Sequence, residues 1–283
     1  MEPNDPPGPP QDQPAARILV AEDNAINREV IVEQLSLLGY RADVADDGQL
    51  AFERWQQGRH ALLLTDLQMP RLDGYALTRA IRQHEADHGL PHTRIVALTA
   101  CADPSAAAVC LRAGMDHHLP KPLDLGALQA CLLRWVGGGA GDGLPRGEPA
   151  TPAAMAGPPT AVPLMDPDAL AQYVGDDPAT LAWFRNDFRQ RLGDAHRAMQ
   201  AAWAHGVGTD WPKLADQAHQ LKSTSRTVGA LHLAACSQAL EAAARRQAAD
   251  TAAQAWADVA TAVAATDQAL AALVPSDTPP AAG

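Results

Sequence analysis

The sequence predicts two domains of different class. Residues 17–136 read as a doubly wound α/β domain on a five-stranded parallel sheet, and residues 165–274 as an all-α helical bundle. Three observations predict this. From Arg17 to Val136 short apolar runs alternate with amphipathic segments, the pattern of repeated βαβ units whose parallel sheet is covered by helices on both faces. Residues 137–164, GGGAGDGLPRGEPATPAAMAGPPTAVPL, are dominated by Gly and Pro and repeat at neither a helical nor a strand period, as a linker does. From Met165 to Val274 the chain is Ala-rich, helical by period and poor in β-branched runs.

Taken in order, RILVA is a short buried-strand pattern, followed by the helical NREVIVEQLSLLG, which Gly39 stops. RADVA is a weaker strand and ALLLT a strong one. GYALTRAIRQHEADHG is helical, RIVALTA is the next strong strand, and DHHLP is the last and weaker one. The acidic, Pro-rich MEPNDPPGPPQDQP is the opposite of a signal peptide, so residues 1–16 are expected to be a disordered tail, as are residues 275–283. The linker of 28 residues would have a root-mean-square reach of roughly 30 Å.

Composition excludes several functions. A net charge of −11 gives no electrostatic footprint for nucleic acid. No apolar run approaches the ~20 residues of a membrane span. Four cysteines without C-x-x-C spacing point to a reducing cytoplasm rather than a disulfide framework. Lysine occurs only at positions 121, 213 and 222, so each position matters.

The strands end on chemistry. RILVAED closes on Glu22 and Asp23, ALLLTD on Asp66, RIVALTA on Thr99, and DHHLPKP on Lys121. In an open parallel sheet these carboxyl ends border the ligand crevice. Clustered acids repel unless a hard cation sits among them, and Mg²⁺ takes a few carboxylates with phosphate oxygens. A carboxylate there, with an ammonium and a hydroxyl to hold phosphoryl oxygens, is a nucleophile for phosphoryl transfer. Any one acid at a strand end is an ordinary turn residue; five polar residues at successive strand ends are not.

These residues, in AEDNAINREV, LLLTDLQMPRLDG, ALTA and LPKPL, resemble the response-regulator receiver family over 17–136, and most of all receivers of hybrid sensor kinases. The resemblance implies a flavodoxin-like fold, Asp66 as phosphoacceptor, and Asp23 and Asp66 as Mg²⁺ ligands with Glu22 beside them and the Gln68 carbonyl completing the set. It implies Lys121 against the phosphoryl group and Thr99 as its reporter. Where the family carries Tyr or Phe as switch partner of the threonine, this chain carries His118, a smaller and titratable ring.

In the second domain, AHQLKSTSRTVGA places one histidine on a helix. At about 100° per residue, Leu214, Ala218, Leu221 and Trp211 share a stripe and His219 points away from it, as an exposed residue would. Lys222 and Arg226 lie on the His219 side, placed to set positive charge beside a phosphoryl group. GDDPATLAWFRNDF, AHQLKSTSRTVGA and LEAAARR together resemble histidine phosphotransfer (Hpt) domains, which implies an all-α four-helix bundle with His219 as the phosphorylated residue and Lys222 beside it. Ser223 stands where the family commonly has Gly, so its hydroxyl is expected to crowd or hydrogen-bond a docking receiver.

One motif is set aside. His84-Glu85-Ala86-Asp87-His88 spells the zinc-protease H-E-x-x-H, but the stretch is polar and ends at Gly89-Leu90-Pro91, away from the acidic rim. The resulting expectation is a two-domain phosphorelay protein. It would take phosphate on Asp66 with Mg²⁺, carry it on His219, and stand between a sensor histidine kinase upstream and a response regulator downstream. No nucleotide-binding glycine motif is seen, so another protein or a small acyl phosphate would be the source. Two alternatives are the C-terminal portion of a hybrid sensor kinase and a phosphorylation-switched interaction module without relay activity.

Overall fold

A computed structural model describes residues 16–99, 104–136, 162–203 and 208–273. The expected disordered tails, apart from Ala16, and the expected linker before Val162 lie outside the described residues.

The first domain alternates strictly: β1 (Arg17–Ala21), α1 (Ala25–Leu37), β2 (Arg41–Ala45), α2 (Gly48–Gln57), β3 (Leu62–Asp66), α3 (Gly74–His88), β4 (Ile95–Thr99), α4 (Pro104–Arg112), β5 (His117–Pro120) and α5 (Leu125–Trp135). The sheet is parallel throughout in the order β2-β1-β3-β4-β5, the doubly wound fold the sequence predicts. The strand order reverses between β1 and β3. Their register pairs Val20 with Leu64 and Ala21 with Thr65, so Glu22, Asp23 and Asp66 leave the sheet at the same level. That is where a doubly wound sheet opens its crevice.

Strand strength in the sequence follows burial. LLLTD and IVALT are buried at every residue because helices cover both faces, whereas the edge strands RADVA and HHLP are only partly covered. Asp residues start the helices: the side chains of Asp47, Asp73 and Asp124 accept the third amide of α2, α3 and α5. α1 ends where Gly39 takes φ +81° and the Tyr40 amide reaches back to the Leu35 carbonyl.

The second domain has a short α6 (Ala171–Val174) and four long helices, α7 (Pro178–Ala202), α8 (Trp211–Thr227), α9 (Leu231–Arg245) and α10 (Ala249–Leu273). α7 touches α8, α8 touches α9, α9 touches α10, and α10 returns to α7, which closes a four-helix bundle. Its core combines large side chains (Phe184, Phe188, Leu214, Leu240) with alanines such as Ala218, Ala243 and Ala262, which let the helices approach closely.

α1 joins the two domains because it carries two apolar faces. Ile31 and Leu35 pack under their own sheet. Ile26 and Val30 belong instead to the apolar cluster of the bundle and are nearly fully buried. At roughly 1.5–3 kcal/mol for each such side chain, this contact is a substantial attachment between the domains. The Arg191–Glu29 pair at 3.6 Å lies on its rim, where an ion pair adds little.

Candidate functional site

β1 and β3 deliver the acids. Glu22 is fully buried, Asp66 nearly so, and Asp23 sits at the mouth. One ligand atom from each lies within 4.8 Å of the others. Lys121, from the loop after β5, places Nζ 2.6 Å from Glu22 Oε2 and 2.7 Å from Asp66 Oδ2. Asp66 Oδ1 accepts from the Leu67 amide at 2.6 Å and the Gln68 amide at 3.4 Å. Thr99 is buried at the end of β4, with Oγ1 3.4 Å from the Leu119 carbonyl. His118 is half-buried on β5, paired with Ala97.

Three carboxylates around one ammonium leave surplus negative charge. Burial pushes the Glu22 carboxyl up to about 7; Lys121 opposes this and Asp66 adds to it. Burial and the neighbouring Asp66 also raise Asp23 above the usual carboxylate range. Lys121 is the reverse case: burial disfavours its charge, but Asp66 and Glu22 outweigh that and hold it protonated. A divalent cation suits such a donor set, hard oxygens held close together with an unneutralised charge.

Gly74 holds the floor of the site. A Cβ there would lie 2.2 Å from the Asp66 carbonyl oxygen, so only glycine lets α3 start directly beneath the acid.

His219 faces this site across the domain boundary. Its neighbour Gln220 donates Nε2 to Asp23 Oδ2 at 2.9 Å. A cleft of about 600 Å³ is lined from one side by Asp23, Gln68 and Asp73, and from the other by Lys213, His219 and Gln220. The helical-wheel argument makes His219 exposed, but its side chain is only 15% exposed. The wheel describes one helix, whereas α9 and the first domain both cover this face.

α9 supplies a residue the sequence reading did not find. Glu241 Oε1 lies 2.9 Å from His219 Nδ1, and Oε2 lies 2.6 Å from Lys222 Nζ. Arg245 also donates to Oε1, at 2.9 Å. Burial would raise the Glu241 carboxyl, but the bonds from His219 and Lys222 outweigh it and hold it at about 2. An ionised carboxylate only accepts, so Nδ1 carries the proton. Lys222 Nζ also lies 3.2 Å from Nδ1, but an ammonium cannot donate to a protonated nitrogen. In the neutral ring the lone pair is therefore on Nε2.

Lys222 thus stands beside His219 as expected, buried and paired rather than solvated. Arg226 does not join it: its guanidinium bonds Gln238 Oε1 at 2.7 Å, one turn away. Ser223 does hydrogen-bond the first domain, accepting from Asn27 Nδ2 at 3.0 Å. Asn24, Asn27, Gln220 and Glu241 all escaped the sequence reading. Glu241 lies within the LEAAARR segment, four residues before Arg245, but nothing local marks it as a partner of a histidine 22 residues away.

In the H-E-x-x-H stretch the side chains make contacts of their own. The His84 and His88 rings stack at 4.0 Å, and Glu85 turns inward to accept from the Thr93 amide at 2.6 Å and Arg82 at 2.8 Å. Among the described residues, the side chains that converge as a possible metal site are Glu22, Asp23 and Asp66.

Family models match two stretches of the chain, the response regulator receiver domain over residues 18–133 and the Hpt domain over residues 179–273. The virulence sensor protein BvgS of Bordetella pertussis is 33% identical over 235 residues, 82% of this chain and 18% of the relative. The sensor protein GacS of Pseudomonas syringae pv. syringae is 36% identical over 130 residues, 46% of this chain and 14% of that protein. The chain thus spans less than a fifth of the length of these curated relatives. Among solved structures, the receiver domain of the sensor histidine kinase PA1611 of Pseudomonas aeruginosa, described with a magnesium ion in its active-site cleft, is 40% identical. It covers 44% of this chain and 99% of its own, with a TM-score of 0.40. Among the described residues, no helix is long and apolar enough to cross a membrane.

Proposed function

Since residues 18–133 are a response regulator receiver domain and residues 179–273 an Hpt domain, we propose that the chain passes a phosphoryl group between Asp66 and His219. The observation that carries this reading is the shared cleft, in which the helix bearing His219 is bonded through Gln220 to Asp23 of the acidic site.

Glu22, Asp23 and Asp66, with the Gln68 carbonyl, would hold Mg²⁺, which supplies charge neutralisation for the phosphoryl oxygens when bound. Asp66 is the acceptor carboxylate, fixed by the amides of Leu67 and Gln68. Lys121, already charged between Asp66 and Glu22, would pair with a phosphoryl oxygen. Thr99 would report the phosphoryl group toward β5, where His118 takes the switch position. In the exchange, the Nε2 lone pair forms the N–P bond as the bond from phosphorus to the Asp66 oxygen breaks, and the carboxylate leaves with the electron pair. No proton moves, because Nε2 carries none. The ring becomes cationic, and the Glu241 carboxylate on Nδ1–H stabilises that charge.

The upstream partner is a sensor histidine kinase and the downstream one a response regulator, in the cytoplasm. Similarity to BvgS and GacS supports a place in the relay of a hybrid sensor kinase, which the chain matches only in part. The test is labelling with acetyl phosphate and Mg²⁺. Label should appear on Asp66 and vanish in Asp66→Asn; undiminished labelling of the Asn variant would refute the assignment.

A further inference from the structure

The bond network between α1 and α8 has a property that the relay reading does not use: side-chain amides on α1 meet hydroxyls on α8. Asn27 is nearly fully buried. Its Nδ2 donates to Ser223 Oγ at 3.0 Å and to Glu22 Oε1 at 3.4 Å, and its Oδ1 accepts from Thr227 Oγ1 at 3.2 Å. Both amide hydrogens and the carbonyl oxygen are thereby engaged. Asn24, whose Oδ1 caps α1, donates Nδ2 to Thr224 Oγ1 at 2.6 Å. Ser223, Thr224 and Thr227 thus form a row of hydroxyls along α8 that meets two asparagines one turn apart on α1. Ile26 and Val30 pack beside them in the apolar cluster of the bundle.

We propose that this hydroxyl row is a specificity-determining surface: the Hpt domain selects receivers whose first helix presents asparagine at the places of Asn24 and Asn27. The proposal rests on the relay reading. A site built to satisfy a polar group discriminates strongly against a partner lacking it, because its own buried groups are then left unpaired. A receiver with an apolar residue in place of Asn27 takes the donor from half-buried Ser223 Oγ, while Thr227 Oγ1 keeps the Ser223 carbonyl at 3.3 Å. A bundle lacking those hydroxyls orphans the Asn27 amide. Chain-own and downstream receivers are subject to the same rule. Asn27 also bonds Glu22, so the residue that reads the partner touches the acidic site itself.

The experiment is a double-mutant cycle across two full chains. The donors carry His219→Gln, with Asn27 or Asn27→Val, and are labelled with acetyl phosphate to equal extent. The acceptors carry Asp66→Asn, with wild-type α8 or Ser223→Ala/Thr227→Val. The rate of label arrival on His219 is measured for all four pairings. The docking of each chain on itself affects numerator and denominator alike, so it cancels from the ratio of ratios. Preference for the Asn27 donor should be about tenfold greater with the wild-type acceptor than with the variant acceptor, the factor for one orphaned buried group. A ratio of ratios within about twofold of unity overturns the specificity role while leaving the relay standing. No transfer in any pairing overturns this inference, while the exchange within one chain is judged separately by label moving from Asp66 to His219 in the unmodified chain. Should Asn27→Val label poorly, Asn24→Ser, which keeps the cap, and Thr224→Val close an equivalent cycle.

Discussion

Glu241 is the most informative residue to change, because its role follows from three distances. Glu241→Ala removes the acceptor 2.9 Å from His219 Nδ1 and the counter-ion 2.6 Å from Lys222 Nζ. A hydrogen bond to a charged group contributes about 1.5–3 kcal/mol. The ring gains positive charge as Nε2 takes the phosphoryl group, so the loss falls mainly on the barrier; at about 1.4 kcal/mol per tenfold, it slows transfer roughly 10- to 150-fold. A second effect has the same sign. Lys222 is left 3.2 Å from Nδ1, and its ammonium favours the tautomer with a bare Nδ1 and a proton on Nε2, which removes the nucleophilic lone pair. Glu241→Gln keeps an acceptor of the same shape at about half the strength, so its loss should be only about threefold to tenfold. The assay is a single-turnover time course of label moving from Asp66 to His219, with ¹⁵N NMR of the imidazole to read the tautomer. Breaking a buried ion pair destabilises by about 3–5 kcal/mol, so helical circular dichroism is followed in parallel and rates are taken well below the melting temperature. Equal rates in the wild type, Gln and Ala chains, all folded, would refute the reasoning.

Three further outcomes are expected. Gly74→Ala forces a Cβ to 2.2 Å from the Asp66 carbonyl oxygen, so backbone must move; overpacking of this kind should lower stability by about 1–3 kcal/mol and slow acetyl phosphate labelling, and unchanged melting and labelling would count against it. The folded pKa of Glu22, about 7, lies above its unfolded value, so the stability it contributes is complete below about 4.5 and is lost as pH rises through 7. Mg²⁺ requires the ionised carboxylate, so it should raise the melting temperature more at pH 8 than at pH 6, and equal shifts would contradict that assignment. Metal analysis of purified protein should find no stoichiometric zinc, and His84→Ala should leave labelling unchanged; one tightly bound zinc lost in that variant would reverse the reading of H-E-x-x-H.

What could be read in the sequence, and what could not, divides along the reach of each signal. The strands ALLLT and RIVALTA stood out because they are covered on both faces and so have no polar alternation to confuse them. The acidic rim was legible because a parallel sheet sends every strand end to one edge, whichever helices intervene. Nothing in INREVIVEQLSLLG separates the part of α1 that covers its own sheet from Ile26 and Val30, which belong to a second core; two apolar faces on one helix look like a single broad one until the partner is present. The helical wheel sets His219 off the apolar stripe of α8 and so makes it exposed, whereas what covers it comes from α9 and the first domain. Glu241 and Asn27 owe their importance to partners 22 and 196 residues away, which no local pattern encodes.

The central claim, that Asp66 and His219 exchange a phosphoryl group within one chain, is tested most directly by concentration. The full chain is labelled on Asp66 with acetyl phosphate and Mg²⁺, excess donor is removed, and the label is mapped by peptide mass spectrometry over time at several protein concentrations. The docked arrangement, with Gln220 bonded to Asp23, predicts first-order arrival of label on His219 at a rate independent of concentration. A rate proportional to concentration, or label on His219 in an Asp66→Asn chain treated the same way, would contradict it.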